Sequence, residues 1–158
     1  MVTGKADSLA KEDLKLSDSG VVWLFLAGIC FVLDQITKLW VSSIFQYREV
    51  LEITSMFNLT LAHNYGAAFS FLSEAGGWQR WFFTGLAAVA SIIIIGWLRR
   101  TPKSLTTFCI SLSLILGGAL GNLYDRFVYG YVIDFLDFHW GTAHFPAFNV
   151  ADSAITLG

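Results

Sequence analysis

Residues 117–138, GGALGNLYDRFVYGYVIDFLDF, combine two contrasting kinds of sequence. The first part consists of small and apolar residues that suit a lipid bilayer. The second part brings four ionisable side chains within thirteen residues of one another: Asp125, Arg126, Asp134 and Asp137. Because ionisable groups are costly in a membrane and usually mark a functional site there, we expect such a site where this stretch leaves the bilayer.

The composition of the whole chain is typical of a membrane protein. Its 158 residues are 55% hydrophobic and 14% charged, with a mean hydropathy of +0.60, whereas soluble domains are about 25% charged. The length predicts a single domain. The net charge of −2 and the lack of a basic patch give no indication of a nucleic-acid partner. Cys30 and Cys109 both fall in apolar runs, which favours membrane packing over a disulfide.

Four segments are candidates for transmembrane helices, each of which needs about 20 mostly apolar residues. Residues 21–41, 78–98 and 105–124 meet this requirement. A fourth segment begins near Pro146, but only thirteen residues remain from there to Gly158, so we expect this helix to be truncated. The sequence therefore predicts a mainly α, polytopic membrane protein with four transmembrane helices.

The distribution of Lys and Arg predicts how the chain is oriented, because cytoplasmic loops collect these residues. Three lysines precede the first span, and the connection between the second and third spans holds three more basic residues: Arg99, Arg100 and Lys103. We therefore place residues 1–20 in the cytoplasm as a disordered polar tail, followed by one membrane-embedded domain at 21–158. Residues 42–77 and 125–145 then face outward.

The outer connection at 42–77 is long and apolar, which is typical of folded structure rather than of a linker. Residues 49–53 and 57–61 resemble short β-strands. Residues 64–66 indicate a turn, and 67–72 fit a short surface helix. We therefore expect a small extracytoplasmic β platform with a short surface helix beside the membrane.

Polar residues from the outer halves of three predicted spans converge at one depth: Asp34, Lys38, Asn122, Asp125, Arg126, Asn149 and Asp152. Asp34 and Lys38 are four residues apart on one helix, so they share a face and can pair. Arg126 offers a neighbouring cation to Asp125. For both acids, a structural ion pair therefore explains the sequence as well as a functional role does.

Asp134 and Asp152 are different because no cation lies near either of them in sequence. Two carboxylates without a cation in a partly dry site cannot both stay ionised, so they share a proton. One can then act as a base toward water and the other as an acid, which is the chemistry of hydrolysis. Asp137 also lacks a cation, but its strand-like surroundings predict that it faces water.

Other classes of function stay open on these residues alone. Buried aspartates also relay ions in a proton-coupled transporter or channel, although a conduction path needs polar groups along its whole length. A structural helper subunit would account for the helices but not for the unpaired acids. His63, His139 and His144 lack the spacing of metal ligands, so we expect no metal site.

Five short motifs follow one another along the chain. They are DQITK at 34–38, NYGAAFS at 64–70, GGALGNLYDR at 117–126, VIDF at 132–135 and FPAFNVADS at 145–153. In this order they resemble the motifs of the bacterial lipoprotein signal peptidases, also called signal peptidase II. The resemblance extends from about residue 21 to the end of the chain.

The resemblance implies a four-span aspartic endopeptidase of the bacterial inner membrane, with its active site near the extracytoplasmic face. Such an enzyme removes the signal peptide from prolipoproteins, before a Cys that carries diacylglycerol, and needs no metal or other cofactor. Membrane lipids and cyclic peptide inhibitors such as globomycin are further expected partners. Asp134 and Asp152 match the catalytic pair, in agreement with the two unpaired acids. The other matching positions are expected to bind substrate or to be structural: Asp34, Lys38, Asn64, Gly66, Asn122, Asp125, Arg126 and Asn149.

Overall fold

Three long apolar helices form the frame of the protein. In the structure, a computed structural model that describes residues 14–66 and 77–158, these are α1 (Leu24–Ile44), α2 (Trp78–Arg100) and α3 (Thr106–Val128). All three are long and apolar enough to cross a membrane. The prediction of three long apolar helices is confirmed, and each helix ends a few residues later than predicted.

The fourth helix, α4 (Val150–Leu157), is eight residues long and begins at a capping box. The side chain of Asn149 accepts a hydrogen bond from the backbone N–H of Asp152, and Asp152 Oδ2 accepts one from the backbone N–H of Asn149. This reciprocal pair satisfies two backbone donors that the start of a helix leaves unpaired. The helix therefore begins later than the predicted start near Pro146, and a fourth membrane span stays a prediction.

A four-stranded antiparallel sheet packs against the helices. Its strands follow one another in spatial order: β1 (Val50–Thr54), β2 (Phe57–Asn64), β3 (Val132–Trp140) and β4 (Ala143–His144). The sequence predicts the first two strands, in the outer connection, with β2 shorter than observed. β3 follows α3 in the chain and pairs with β2, which precedes α2, so the sheet joins two parts of the chain that are distant in sequence. The surface helix predicted at 67–72 lies outside the described residues.

The register of β2 against β3 determines what lies beside Asp134. Ala62 pairs with Asp134, and Asn64 pairs with Val132 at the end of the ladder. Beneath the sheet, apolar residues from α1 and both strands form one buried cluster: Val41, Phe45, Leu61, Ile133 and Phe135. This cluster attaches the sheet to the C-terminal end of α1 and so places β3 against the helices.

Small residues on α3 allow α1 and α4 to pack closely against it, as is common between membrane helices. A Cβ atom added to Gly117 would lie 2.7 Å from the carbonyl oxygen of Ala27 on α1. Gly118 is packed in the same way against the carbonyl oxygen of Ala151 on α4. On the next turn, a Cβ at Gly121 would lie 2.5 Å from the Asp34 carboxylate. The glycines of the opening stretch therefore bring three helices together at the level of the acidic residues.

The first described residues form two turns of 3-10 helix, at Leu16–Asp18 and Gly20–Trp23. The backbone N–H of Gly20 donates to the Thr101 carbonyl at 2.7 Å, which ties this segment to the connection between α2 and α3. Residues 14–20 belong to the stretch predicted as a disordered tail, but they are folded against that connection. Cys30 and Cys109 are both free and buried, as the sequence predicts.

Candidate active site

Asp134 is a buried carboxyl group that two asparagines hold in place. It lies in β3, with 2% of its surface exposed. Asn64, the last residue of β2, donates from Nδ2 to Asp134 Oδ2 at 3.0 Å. Asn149, just before α4, donates from Nδ2 to Asp134 Oδ1 at 2.7 Å. Each oxygen of this carboxyl therefore has its own amide donor.

Asp152 lies in the first turn of α4 and is half-buried. Its Oδ1 accepts a hydrogen bond from Asn122 Nδ2 at 2.7 Å, and its Oδ2 accepts the backbone N–H of Asn149 at 3.3 Å. Because Asn149 is fully buried and also donates to Asp134, one residue contacts both acids. The structure thus brings Asp134, Asp152, Asn122, Asn149 and Asn64 into one hydrogen-bonded cluster.

Burial and the nearby charge of Asp152 raise the pKa of Asp134 from its ordinary value of 3.8 to about 7. The hydrogen bonds from Asn64 and Asn149 and the charge of Lys38 lower this pKa, but their combined effect is smaller. Near neutral pH, the carboxyl of Asp134 is therefore in balance between its protonated and ionised forms. Such a group, beside a second carboxyl, can exchange a proton with a reacting molecule.

Lys38 is the centre of a buried ion network beneath this cluster. Its Nζ lies 2.8 Å from Asp34 Oδ2 and 2.8 Å from Asp125 Oδ2, and none of these three side chains is more than 1% exposed. The predicted pair of Asp34 and Lys38 is confirmed. The predicted pairing of Asp125 with Arg126 is wrong, because the Asp125 carboxylate points into the helix bundle toward Lys38. Gln35 completes the network by donating to both carboxylates, at 3.1 and 3.0 Å.

The two carboxylates of the network also bind the backbone next to the candidate acids. Asp34 Oδ1 accepts the backbone N–H of Ala151 at 2.9 Å, one residue before Asp152. Asp125 Oδ2 accepts the backbone N–H of Ile133 at 3.1 Å, one residue before Asp134. The ion network therefore fixes the backbone on both sides of the cluster. Sequence reasoning missed these contacts and Gln35, although Gln35 belongs to the first motif.

Lys38 also reaches the cluster directly. Its Nζ donates to Asn122 Oδ1 at 3.1 Å, and the amide group of the same asparagine donates to Asp152. The buried cation of Lys38 is therefore connected to the candidate acid Asp152 through one residue, Asn122.

Arg126 is a second cation close to the two acids, and it interacts electrostatically with both Asp152 and Asp134. One guanidinium nitrogen donates to the carbonyl of Asn122 at 3.3 Å, and another donates to the carbonyl of Gly66 at 3.2 Å. No cation lies near the two acids in the sequence, but the fold brings Lys38 and Arg126 close to them, so the expectation of two acids without a cation is wrong. Burial nevertheless outweighs the positive charges at Asp134, so the pKa of this carboxyl is raised.

Asp137 is buried rather than exposed to water, which corrects the prediction for this residue. Its carboxylate accepts hydrogen bonds from Asn58 Nδ2 at 2.9 Å and from His144 Nδ1 at 2.9 Å. Burial alone would raise the pKa of Asp137, but these two hydrogen bonds outweigh it and the pKa is lowered. Asp137 is thus an ionised structural group within the sheet. No cluster of three potential metal ligands occurs in the described parts of the chain.

A cavity of about 610 Å³ opens onto the cluster. Its lining includes four polar residues of the site: Asn64, Asn122, Arg126 and Asp152. The other walls are mostly apolar and come from β3, α4 and the segment between them: Val132, Phe145, Pro146, Phe148, Ile155 and Leu157. An apolar cavity with a few convergent polar groups is the usual form of a binding site for an organic substrate.

Comparisons with known proteins give a consistent result. The family described as Signal peptidase (SPase) II matches residues 26–158. A lipoprotein signal peptidase of Shewanella woodyi is 52% identical over 141 residues, covering 89% of this chain and 80% of the relative. One of Alteromonas mediterranea is 50% identical over 141 residues, covering 89% of this chain and 78% of the relative.

Two solved structures have a similar fold, and both are described as bacterial membrane enzymes determined by the in meso method. The first, at 2.3 Å resolution, has a TM-score of 0.77 at 28% identity, covering 87% of this chain and 82% of the other. The second, at 1.9 Å, has a TM-score of 0.73 at 29% identity, covering 87% and 86%.

Proposed function

The chain belongs to the signal peptidase II family, whose members are lipoprotein signal peptidases, and we propose that it works as an aspartic endopeptidase with Asp134 and Asp152 as its catalytic pair. Family membership makes it a protease that removes signal peptides from prolipoproteins. The observation that carries the catalytic assignment is the shared hydrogen-bonded cluster, in which Asn149 contacts both acids.

The two acids have different surroundings, which gives them different roles. Asp134 is the more buried, and its raised pKa favours the protonated form, so it is the general acid at the start of the reaction. Asp152 is half-buried beside the cavity and is the general base. Asp152 takes a proton from water as the water oxygen attacks the peptide carbonyl carbon, and Asp134 protonates the carbonyl oxygen. The tetrahedral intermediate then collapses as its C–N bond breaks: Asp152 gives its proton to the departing amine nitrogen, and Asp134 takes back the proton from the former carbonyl oxygen, which restores the starting state of the pair.

The cavity supports a substrate that is both peptide and lipid. Its polar side offers Asn64 and Arg126 to a peptide backbone, while its walls are aromatic and aliphatic. The bond to be cut lies on the N-terminal side of a diacylglyceryl-modified Cys, and the acyl chains extend toward the surrounding membrane lipids. Cyclic peptides of the globomycin type would bind in the same cavity and compete with the substrate.

The orientation is part of the same proposal. The basic connection between α2 and α3 faces the cytoplasm, because Lys and Arg collect on that side of a bacterial inner membrane. The sheet and the cluster of acids then lie near the extracytoplasmic face. A prolipoprotein presents its modified Cys at that face, where α3 ends and β3 begins.

The alternative class, a proton-coupled transporter or channel, is not favoured by any observation. The matched relatives are peptidases, and the matched structures are enzymes. The buried charges of the described helices also gather at one level, at Asp34, Lys38 and Asp125, rather than along a path.

The decisive experiment incubates the purified protein with a diacylglyceryl-modified prolipoprotein and with the same precursor lacking the lipid. Mass spectrometry should find the free signal peptide only with the modified precursor. The same preparation in vesicles should show no proton flux when peptide is absent. Proton flux that is lost in Asp134→Asn, together with no cleavage of either precursor, would overturn the proposed function.

A further inference from the structure

A stack of three rings lies beside the candidate acids. The ring of His63 lies between those of Tyr47 and Tyr131, with centroid distances of 4.5 and 3.9 Å. The planes differ by 24° and 20°, so each tyrosine ring is close to parallel with the ring of His63. We call Tyr47, His63 and Tyr131 the His63 stack. None of its members contacts Asp134 or Asp152 in the hydrogen bonds described above.

The His63 stack joins three separate parts of the chain. Tyr47 lies in the connection between α1 and β1, His63 lies near the end of β2, and Tyr131 directly precedes β3. Strand ends hold fewer ladder hydrogen bonds than strand centres, so they open most readily. The stacked rings supply, at this end of the sheet, a contact that the backbone ladder does not.

Asn64 is the residue through which this contact reaches the site. It follows His63 directly and is the last residue of β2, and its Nδ2 donates to Asp134 Oδ2 at 3.0 Å. Successive side chains of a strand point to opposite faces, so anchoring the ring of His63 on one face orients Asn64 on the other. Asn64 Oδ1 also accepts the backbone N–H of Gly66 at 3.1 Å, which couples the same amide to the chain that follows.

We propose that His63 is a positioning residue that acts through Asn64, because its ring stack holds the end of β2 so that the Asn64 amide stays on the Asp134 carboxyl. The inference rests on the proposed function only in taking Asp134 as one of the catalytic pair. Its structural part, the coupling of His63 to the Asn64–Asp134 hydrogen bond, stands on the geometry.

The ring of His63 acts as a flat surface rather than as a charge. Burial lowers its pKa, so the imidazole is neutral at neutral pH. Within residues 14–66 and 77–158, the groups that contact the stack include the rings of Tyr65 and Tyr129 and the guanidinium of Arg48, which lies 5.2 Å from the centroid of Tyr47. A phenylalanine at position 63 should therefore preserve the stack, whereas an alanine should remove it.

The test measures the pKa of Asp134 by ¹³C NMR of its carboxyl carbon in detergent micelles, with the signal assigned by its loss in Asp134→Asn. The hydrogen bond from Asn64 favours the ionised carboxyl, so weakening that bond must raise the pKa of Asp134 further above its wild-type value. We expect His63→Ala and Asn64→Ala to raise it, and the double variant to show no more than Asn64→Ala alone.

Kinetics supply a second readout on the same variants. A misplaced general acid slows the chemical step more than substrate binding, so His63→Ala should lower kcat about tenfold and change KM less than about twofold. His63→Phe should restore both kcat and the pKa of Asp134. Phe57→Ala is the matched control: it removes a ring at the opposite end of β2, 4.8 Å from Phe138, and should leave the pKa of Asp134 unchanged.

Tyr47→Ala keeps the test valid if His63→Ala does not fold. Tyr47 is 49% exposed and its ring lies at one end of the stack, so its loss should move the pKa of Asp134 in the same direction by less. Two results would overturn the inference: additive effects of His63→Ala and Asn64→Ala, or a fall in kcat with no change in the pKa of Asp134. Full activity of Asp134→Asn would instead overturn the proposed function, while the NMR comparison still reports on the coupling.

Discussion

Asp34 Oδ1 accepts a hydrogen bond from the backbone N–H of Ala151 at 2.9 Å, across 117 residues of sequence. The contact joins a buried carboxylate of α1 to the first turn of α4, one residue before Asp152. Lys38 holds that carboxylate in place and holds Asp125 in the same way on the other side. One lysine therefore pairs with two structural acids, and those acids fix the backbone that carries the proposed catalytic pair.

Replacing Lys38 by methionine should destabilise the protein strongly. The substitution leaves two fully buried carboxylates without a cation, and breaking a buried ion pair in this way costs about 3–5 kcal/mol. The free energy of unfolding, from denaturant titration in detergent, measures the effect. Lys103→Met is the control, because its ion pair with Asp18 is about half exposed and should contribute less than about 1 kcal/mol. Equal losses in the two variants would contradict a special role for Lys38.

Gly118→Ala should disrupt the packing of α4 against α3. The added Cβ would overlap the carbonyl oxygen of Ala151, which belongs to helix backbone and cannot rotate away. Overpacking of this kind costs about 1–3 kcal/mol, and the displacement of α4 should also lower cleavage activity by misplacing Asp152. Gly96→Ala on α2 is the control, because no atom beyond the chain neighbours and the backbone of its own helix lies within 4 Å of its added Cβ. Thermal stability should be unchanged or slightly higher in that variant, because alanine favours a helix more than glycine does, and activity should be unchanged. A comparable loss there would count against the packing argument.

Sequence patterns predicted the parts of the site that depend on local geometry. Asp34 and Lys38 are one helical turn apart, so their pairing follows from helix periodicity alone. The choice of Lys38 rather than Arg126 as the partner of Asp125 depends on how α1 packs against α3, which no local pattern reports. The pairing of β3 with β2 was not predicted for a related reason. The sequence before Asp137 is strand-like, but its register against a strand on the other side of α3 in sequence depends on tertiary packing.

The proposed orientation predicts which engineered cysteines are accessible from outside. Ser104 is exposed in the basic connection between α2 and α3, and Ser55 is exposed in the turn between β1 and β2. A membrane-impermeant thiol reagent added to intact cells should therefore label Ser55→Cys and not Ser104→Cys. The unsubstituted protein is the control and should stay unlabelled, because Cys30 and Cys109 are both buried. The opposite labelling pattern would reverse the orientation and place the site in the cytoplasm.

Asp134→Asn and Asp152→Asn should each abolish cleavage without loss of the folded state. An amide has nearly the shape of the carboxyl but cannot exchange a proton with water or the leaving group, and proton transfer contributes about 10²–10⁴-fold to such reactions. Asp137→Asn is the matched control in the same strand: it should lower stability through Asn58 and His144 yet keep cleavage. Asp125→Asn should weaken activity through the Ile133 backbone without eliminating it. A fully active Asp152→Asn would remove that residue from the pair.

The dependence of cleavage on pH should be bell-shaped. The active form carries one proton on the pair, so activity falls at low pH when both carboxyls are protonated and at high pH when both are ionised. Because burial and the charge of Asp152 raise the pKa of Asp134 to about 7, the falling limb at high pH should lie near that value. It should not lie near the ordinary pKa of an aspartic acid, about 3.9. Initial rates across the pH range measure the position of both limbs.

The same raised pKa predicts a specific dependence of stability on pH. The folded protein binds the Asp134 proton more tightly than the unfolded chain does, so this residue favours folding at low pH. That contribution should be lost as the pH rises from about 4, where the unfolded chain ionises, to about 7, where the folded protein does. The unfolding free energy of the unsubstituted protein should therefore fall relative to that of Asp134→Asn across this interval. Parallel curves for the two proteins, together with a high-pH limb of activity near pH 4, would show that Asp134 ionises as freely as a solvent-exposed acid, and the proposed roles of the two acids would then be wrong.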